Sequence, residues 1–580
     1  IARVDHSKGV MELIVHPRDC WPGKLSPSKT QGKIEAKTSI SGPVLIGATM
    51  GSGDPEHHFN GKIDSPAVFA EWLSDDALDE VVAGNRPAPP AAAWDFSADQ
   101  TALTIADSVG GAPVRLINMP MRAVTGHRWT GKSLSPAECP QDYTAIHFHD
   151  DDCDDAMWPE TLRLPVPNDL GSGIYAFHLQ TPDGDEDYIP FFVLPPREGP
   201  FASIAFLAPT YSYLAYGNAH VEDRFLNDPA YQLFFPDAGK LYPSQKQDRY
   251  VLDQKLNSTY DLHSDGSGVA YASRLVPQVH FRPKVNFQFL RSLHGSPHQF
   301  NADLHLVDWM IEKGFKHDVL TDEVLHEEGA ALLSPYRVIV TGTHPEYWSG
   351  EMLDAFQSYL KSGGRVMYMG GNGFFWVTTP HPHAPHVLEI RKWGATRAWE
   401  ALPGERHHST TGEPGGVWRN RGLAPQALVG VGFTGQGMDV GAPYRRSEES
   451  YDEKWAYVFD GIEGDVFGDT PSLVLGHGAA GFELDRIDPA LGSPPTTVCL
   501  AQSFGHSKGY QVAVEELLAT QPGTGPENPL LRSDIAHVTY PNGGAVFSVG
   551  SISFCGSLSY NDYDNDVSRL TQNILEKFLE

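Results

Sequence analysis

Three segments set polar and aromatic side chains directly after short apolar runs, the place where an open parallel sheet binds its ligands. They are Pro209-Thr210-Tyr211-Ser212-Tyr213-Leu214-Ala215-Tyr216-Gly217-Asn218, Thr341-Gly342-Thr343-His344-Pro345-Glu346-Tyr347-Trp348, and Gly370-Gly371-Asn372-Gly373-Phe374-Phe375-Trp376. The second is the sharpest. It sets an imidazole and a carboxylate at one rim, with Pro345 stiffening the turn between them, and that pair suits proton transfer or cation binding. His344 and Glu346 would equally cap a helix starting near Ser349, and the segment alone leaves both readings open. Asn372 stands among glycines, where backbone can approach a ligand closely. Taken alone, a glycine turn with a left-handed Asn is the plainer reading, and the tyrosines of the first segment read as rim and core packing.

Other clusters carry less. His147-Phe148-His149-Asp150-Asp151-Asp152-Cys153-Asp154-Asp155 has carboxylates that suit calcium but no recognisable loop spacing, so a solvated acidic turn is expected. His381, His383, His386, His407 and His408 match neither H-E-x-x-H nor a zinc spacing. Gly126 to Ser133 fits the phosphate-loop pattern letter for letter, but Pro136 and Pro140 deny it the helix it must open. Gly505 to Gly509 fits a nucleophile elbow around Ser507, with Asp534 and His537 downstream. Tyr510, Val512 and Val514 then alternate like a strand, so a hairpin turn is expected and covalent catalysis is disfavoured.

Around the three segments, Ile204–Ala208, Arg337–Thr341 and Val366–Met369 read as short buried strands. Ala302–Lys313 has helical spacing and stops at Gly314. Met352, Phe356, Tyr359 and Leu360 mark another helix, ended by Gly363-Gly364. Leu570, Ile574 and Phe578 mark a closing helix over Val567 to Leu579. Strand and helix alternating across glycine turns predict a mainly parallel α/β sheet. Upstream the pattern is β. Val44–Gly47 reads as a strand, His58–Asp64 as a turn and strand, and Gly173–Leu179 pairs with Tyr188–Leu194 across Pro182-Asp183-Gly184. The expected division is a partial β-sandwich over 1–100, a β-rich middle domain over 101–198 and a catalytic α/β domain over 199–580. Pro87, Pro89 and Pro90 mark a linker, and Pro195-Pro196 ends the β-rich part.

The bulk numbers agree with several domains: 580 residues exceed the roughly 250–300 at which one core stops growing. A net charge of −30 argues against nucleic acid and against an anionic substrate. Five scattered cysteines without a C-x-x-C pair exclude a disulfide framework and a zinc ribbon, and suit a reducing cytoplasm with mostly buried thiols. No apolar run reaches the roughly 18 residues of a membrane span. Ile1-Ala2-Arg3-Val4-Asp5 reads like the middle of a strand-rich domain, so an N-terminal portion is expected to be missing.

The words FNGKID and AAAWDFS resemble a concanavalin- or laminin-G-like sandwich. In chain order, DYIPFFVLPP, SYLAYGN, STYDLHSDGSG, GTHPEYW, GGNGFFW, GFELDR and SLSYNDYDNDVSRLTQNIL resemble the large (beta) subunit family of N,N-dimethylformamidase. The resemblance runs from about FNGKID to the C-terminus. It implies a mononuclear iron(III) held by Tyr216, Tyr260 and Glu346, with His344, Asn372 and Glu483 supporting it or touching substrate. It also implies a small N-substituted formamide as substrate, hydrolysed by a metal-activated water, a small helical partner subunit, and a hetero-oligomer with more than one copy of this chain. The α/β domain resembles the class I glutamine-amidotransferase-like fold, without its Cys-His-Glu set. Phe374, Phe375 and Trp376 would either hold N-methyl groups or pack in the core. Two rivals stand beside this reading: the same fold acting on another small amide, and a non-catalytic carbohydrate-binding or scaffold protein.

Overall fold

The computed structural model describes residues 1–17, 25–34, 42–220, 246–287, 295–395, 398–514, 517–518 and 525–580. Its fold is mixed α/β, divided into two compact units, Ile1–Asp152 and Cys153–Glu580.

The first unit is built from small antiparallel sheets. Gly61–Asp64, Ala145–Phe148 and Met121–Val124 form one of them, over a core of Trp94, Phe96, Ile105 and Ile146. Buried Arg122 donates to the carbonyls of Phe96 and Ala102, which keeps its charge hydrogen-bonded inside the unit. Val44–Gly47 forms no strand. Among the described residues no strand pairs with it. Gly126–Ser133 is a loop with no helix behind it.

The second unit rests on a nine-stranded sheet. Four parallel pairings join His317–Thr321, Ile204–Ala208, Val338–Thr341, Arg365–Tyr368 and Ala545–Ser548, in that spatial order. The strands Ile204–Ala208 and Val338–Thr341 are buried at every residue, as strands covered on both faces must be. Beyond Ala545–Ser548 the sheet turns antiparallel through Asp534–Thr539, Val498–Ser503, Tyr444–Arg446 and Val466–Phe467. The expected mainly parallel sheet is therefore parallel on one side only, because the C-terminal third of the chain returns in hairpin-like steps rather than through crossover helices. The expected helices are present as Phe300–Glu312, Gly350–Lys361 and Asp566–Leu579. Gly314 and Gly363 follow the first two at φ 76° and 107°, conformations that cost glycine little. Gly173–Gln180 and Glu186–Val193 form the expected antiparallel pair.

Gly505–Gly509 is a correction. The strands on its two sides belong to different sheets, since Val498–Ser503 lies in the nine-stranded sheet while Gln511–Val514 pairs with Gly432–Ala442. The segment is a connection between layers rather than a hairpin turn. Ser507 Oγ donates to Asp439 at 2.5 Å, Asp534 is occupied by Arg532 and Gln502, and His537 packs on Trp455. The thiols also differ from expectation: of the described cysteines only Cys555 is buried, while Cys139 and Cys499 are half-buried and Cys153 is exposed. Cys20 lies outside the described residues. None of the described helices is long and apolar enough to cross a membrane.

The carboxyl ends of Ile204–Ala208, Val338–Thr341 and Arg365–Tyr368 are neighbours, so the three segments singled out above come together. Their approach is tight: a Cβ at Gly370 would lie 2.1 Å from the Thr343 carbonyl oxygen. Gly370→Ala should therefore cost about 1–3 kcal/mol of stability. In urea titration this appears as a lower midpoint with an unchanged slope.

Candidate metal centre

Glu346 is the point of convergence. Its Oε2 accepts hydrogen bonds from Tyr216 Oη and Tyr260 Oη, each at 2.9 Å. Its Oε1 accepts from Trp376 Nε1 at 2.9 Å and from Asn372 Nδ2 at 3.4 Å. The two tyrosine rings stack at 4.2 Å. His344 Nε2 lies 3.5 Å from Glu346 Oε2 and 3.2 Å from Glu483 Oε2. The chain thus brings all six candidate residues to one place: Tyr216, Tyr260, Glu346, His344, Asn372 and Glu483.

Each is locked locally. Tyr216 closes the helix Thr210–Tyr216. Ser212 on that helix accepts from the backbone N–H groups of Glu346 and Tyr347, tying helix to loop. Tyr260 sits in a turn made by Asp261, which accepts from the N–H and the hydroxyl of Ser258, and Thr259 anchors that turn on the Ala215 carbonyl. The Glu346 carbonyl accepts from the N–H groups of Phe375 and Trp376. Asn372 adopts φ 47°, its N–H bound to Asp485 Oδ1 at 2.8 Å, and a Cβ at Gly371 would lie 2.8 Å from the Glu483 carbonyl oxygen. The reading of Asn372 as a left-handed turn residue is met, and the same turn sets its side chain beside Glu346. The helix cap is Ser349, whose Oγ accepts from Met352 N–H, which leaves His344 and Glu346 turned inward.

Burial first, and then the Glu346 charge, push both Tyr216 and Tyr260 well above the ordinary phenol range. Burial also raises Glu346, against the pull of His344 and Lys392. Burial lowers His344, but Glu346 and Glu483 outweigh it and the net shift is upward. Without a cation the tyrosines are therefore neutral donors; a cation among these oxygens reverses the balance by stabilising phenolates.

The sequence model of the family described as N,N-dimethylformamidase beta subunit-like, C-terminal, matches residues 121–565. An N,N-dimethylformamidase beta subunit from Alcaligenes sp is 40% identical over 541 residues, 90% of this chain and 68% of that one. The same subunit from Paracoccus aminophilus is 41% identical over the same shares. This chain belongs to the N,N-dimethylformamidase beta-subunit-like family. Among solved structures, a thua-like protein from Bacteroides uniformis aligns with 48% of the chain at 13% identity and a TM-score of 0.25, too slight a likeness to bear on the fold.

Several residues of this family member escaped the sequence reading. Lys392 is fully buried, its Nζ 3.6 Å from the centre of the Tyr260 ring and 4.6 Å from that of Trp376. It donates to Tyr347 Oη at 2.6 Å, and Tyr347 donates to Tyr260 Oη at 2.7 Å. Burial pulls its ammonium down to about 7 despite the nearby Glu346. Lys392 follows the strand Ala384–Ile390 in the run Glu389-Ile390-Arg391-Lys392-Trp393, where lysine beside other charges gives little local sign of burial, rare as buried lysine is. Phe374 and Phe375 belong to the core: Phe374 packs on Trp348 and Tyr368, Phe375 on Phe433. Phe287 and Phe482 line the tyrosine–histidine side instead, through Tyr216, His298 and His344. The acidic run is only partly solvated, for His149 is buried against Asp152 at 3.0 Å. A groove of about 1350 Å³ lies behind the helix Thr210–Tyr216, lined by Phe192, Tyr213 and Phe281 and by none of the six residues.

Asp485, which holds Asn372 and accepts from Tyr368 Oη at 2.8 Å, is raised by burial to about 7. A carboxyl that keeps its proton in the folded state favours folding at low pH. That contribution is lost as pH rises from the unfolded value towards about 7, and is flat beyond. Asp485→Asn mimics the neutral acid, so urea stability measured between about pH 4 and pH 8 should fall less steeply in the variant than in the native protein.

Proposed function

We propose that this chain is the large subunit of an iron-dependent amidohydrolase that cleaves N,N-dimethylformamide, or a related small N-substituted formamide, to formate and dimethylamine. The observation that carries this reading is the meeting of two phenol oxygens on one carboxylate oxygen, beside three buried polar atoms that no described residue engages in an aligned hydrogen bond: His344 Nε2, Asn372 Oδ1 and Glu483 Oε2. Family membership supplies the substrate class. Tyr216, Tyr260 and Glu346 would hold the metal, and phenolate with carboxylate is a hard, anionic donor set that suits iron(III) better than zinc. Iron(III), when bound, supplies a Lewis acid that polarises the amide carbonyl and acidifies water.

The chain's own residues do the rest. Trp376 and Asn372 fix the Glu346 carboxylate from its second oxygen. Glu483 takes a proton from the attacking water and delivers it to the amine nitrogen as the C–N bond breaks. Asn372, through the second N–H of its Nδ2, and His344, through Nε2–H, hold the carbonyl oxygen while it gains charge. Lys392 lies against the Tyr260 ring face, where a cation favours the phenolate over the phenol. A small helical partner subunit, more than one copy of this chain in the assembly, a laminin-G-like first unit, a glutamine-amidotransferase-like sheet and a cytoplasmic setting belong to the same reading. Another small amide as substrate is the alternative.

Purified protein should carry about one iron per chain, show a visible phenolate-to-iron band, and release dimethylamine from N,N-dimethylformamide. Tyr216→Phe and Glu346→Ala should lose both iron and band; full iron retention in either would sink the ligand assignment. Glu483→Gln should keep iron and band while kcat drops by about 10²–10⁴-fold. Iron and band without amine release would move the substrate to another amide.

A further inference from the structure

We propose that Gln299 sets the tautomer of His344, making His344 a hydrogen-bond donor through Nε2 and leaving proton abstraction to Glu483. The inference rests on the reaction read from this site, and it deepens that reading by dividing the roles of the two side chains.

Gln299 stands immediately before the helix Phe300–Glu312 at φ 60° and ψ −126°, a backbone region that side-chain-bearing residues adopt only when their surroundings force it. Glycine would sit there without strain. The chain instead carries a buried glutamine, so the side chain has a use that outweighs the cost of the backbone. Its loop is pinned by Asn301, which accepts from His298 N–H and donates to the Val285 carbonyl.

The amide nitrogen of Gln299 lies 3.1 Å from His344 Nδ1 and 3.3 Å from His298 Nε2. A carboxamide nitrogen only donates, and its two N–H groups match two acceptors. With the amide in this orientation, its oxygen without an aligned partner among the described residues, His344 Nδ1 is bare and the neutral ring carries its proton on Nε2. The far side of the ring gives the same answer independently. Nε2 faces two carboxylate oxygens, Glu483 Oε2 at 3.2 Å and Glu346 Oε2 at 3.5 Å; these are acceptors that welcome an N–H and repel a lone pair. A ring held this way donates to an oxygen that gains charge and cannot take a proton from water at Nε2. Gln299 acts through the imidazoles of His344 and His298, so it is a positioning residue.

The test uses the metal-free chain labelled with 15N-histidine. Long-range proton–nitrogen correlation in alkaline buffer reads each neutral tautomer directly, and His344 is assigned as the signal set lost in His344→Gln. The native protein should show the Nε2–H form. Gln299→Glu places an acceptor against Nδ1 and should convert His344 to the Nδ1–H form. In the iron-loaded enzyme the same variant should lower kcat about 100-fold with little change in KM, the cost of one lost donor at a developing oxyanion. Gln299→Met cannot hydrogen-bond, so the Nδ1–H form should become detectable beside an Nε2–H majority that the two facing carboxylates still favour. An Nδ1–H His344 in the native chain, or an unchanged tautomer ratio in either Gln299 variant, overturns the proposal. If Gln299→Glu fails to fold, the native and Gln299→Met spectra still decide. An Nε2–H His344 in a protein that hydrolyses no formamide would reject the reaction while leaving the tautomer assignment standing.

Discussion

A carboxylate with almost no access to water governs this structure. Glu346 is 3% exposed, and an ionised carboxyl in such a place needs partners on both oxygens. It finds four of them on three different parts of the chain: Tyr216, Tyr260, and Asn372 with Trp376 on one segment. Helix, turn and two strand-end loops are thereby referred to one atom pair, and the remaining contacts of the site serve to keep those parts in place. The requirement to satisfy one buried charge explains why aromatic and polar residues cluster at three strand ends that packing alone would fill with small apolar side chains.

The sheet makes this possible. Three adjacent parallel strands deliver their carboxyl ends to the same edge, and glycines allow the loops beyond them to touch backbone to backbone, as Gly370 does at Thr343 and Gly371 at Glu483. The strand Ala480–Arg486, which carries Glu483 and Asp485, lies in a separate four-stranded sheet, pressed on the Asn372 turn through Asp485. Tyr216 and Glu346 follow parallel strands, Tyr260 sits in the Ser258–Asp261 turn and Glu483 lies on an antiparallel strand, so the proposed ligands and the proposed base stand on different elements.

Much of this was legible in residue order. Strand-terminal motifs are local, and the helices around Trp309, Phe356 and Ile574 announce themselves through period and glycine stops. What stayed hidden depends on three-dimensional neighbours. Nothing local to Tyr260 or Glu483 tells that the first stacks on Tyr216 or that the second faces His344; the family resemblance, and no pattern of spacing, singled them out. Lys392 left little trace, since it stands beside Glu389 and Arg391 in a charged run that gives no sign of which ring it covers. Gln299 left none, because backbone strain cannot be read from a residue type. The antiparallel half of the sheet was missed for a related reason: short alternating strands specify that they pair, but not with which partner. Gly505–Gly509 shows the same gap, since a turn between two alternating runs looks like a hairpin whether or not those runs are neighbours.

The hydrogen bonds that define the centre span long stretches of sequence: 130 residues from Tyr216 to Glu346, 86 from Tyr260 to Glu346 and 113 from Asn372 to Asp485. Closing such loops takes entropy that local contacts cannot supply. The centre is therefore complete only when parts of the chain far apart in sequence have come together. Occupancy of the site and integrity of the domain become a single equilibrium, so that anything bound among these oxygens restrains the entire second unit against unfolding by mass action.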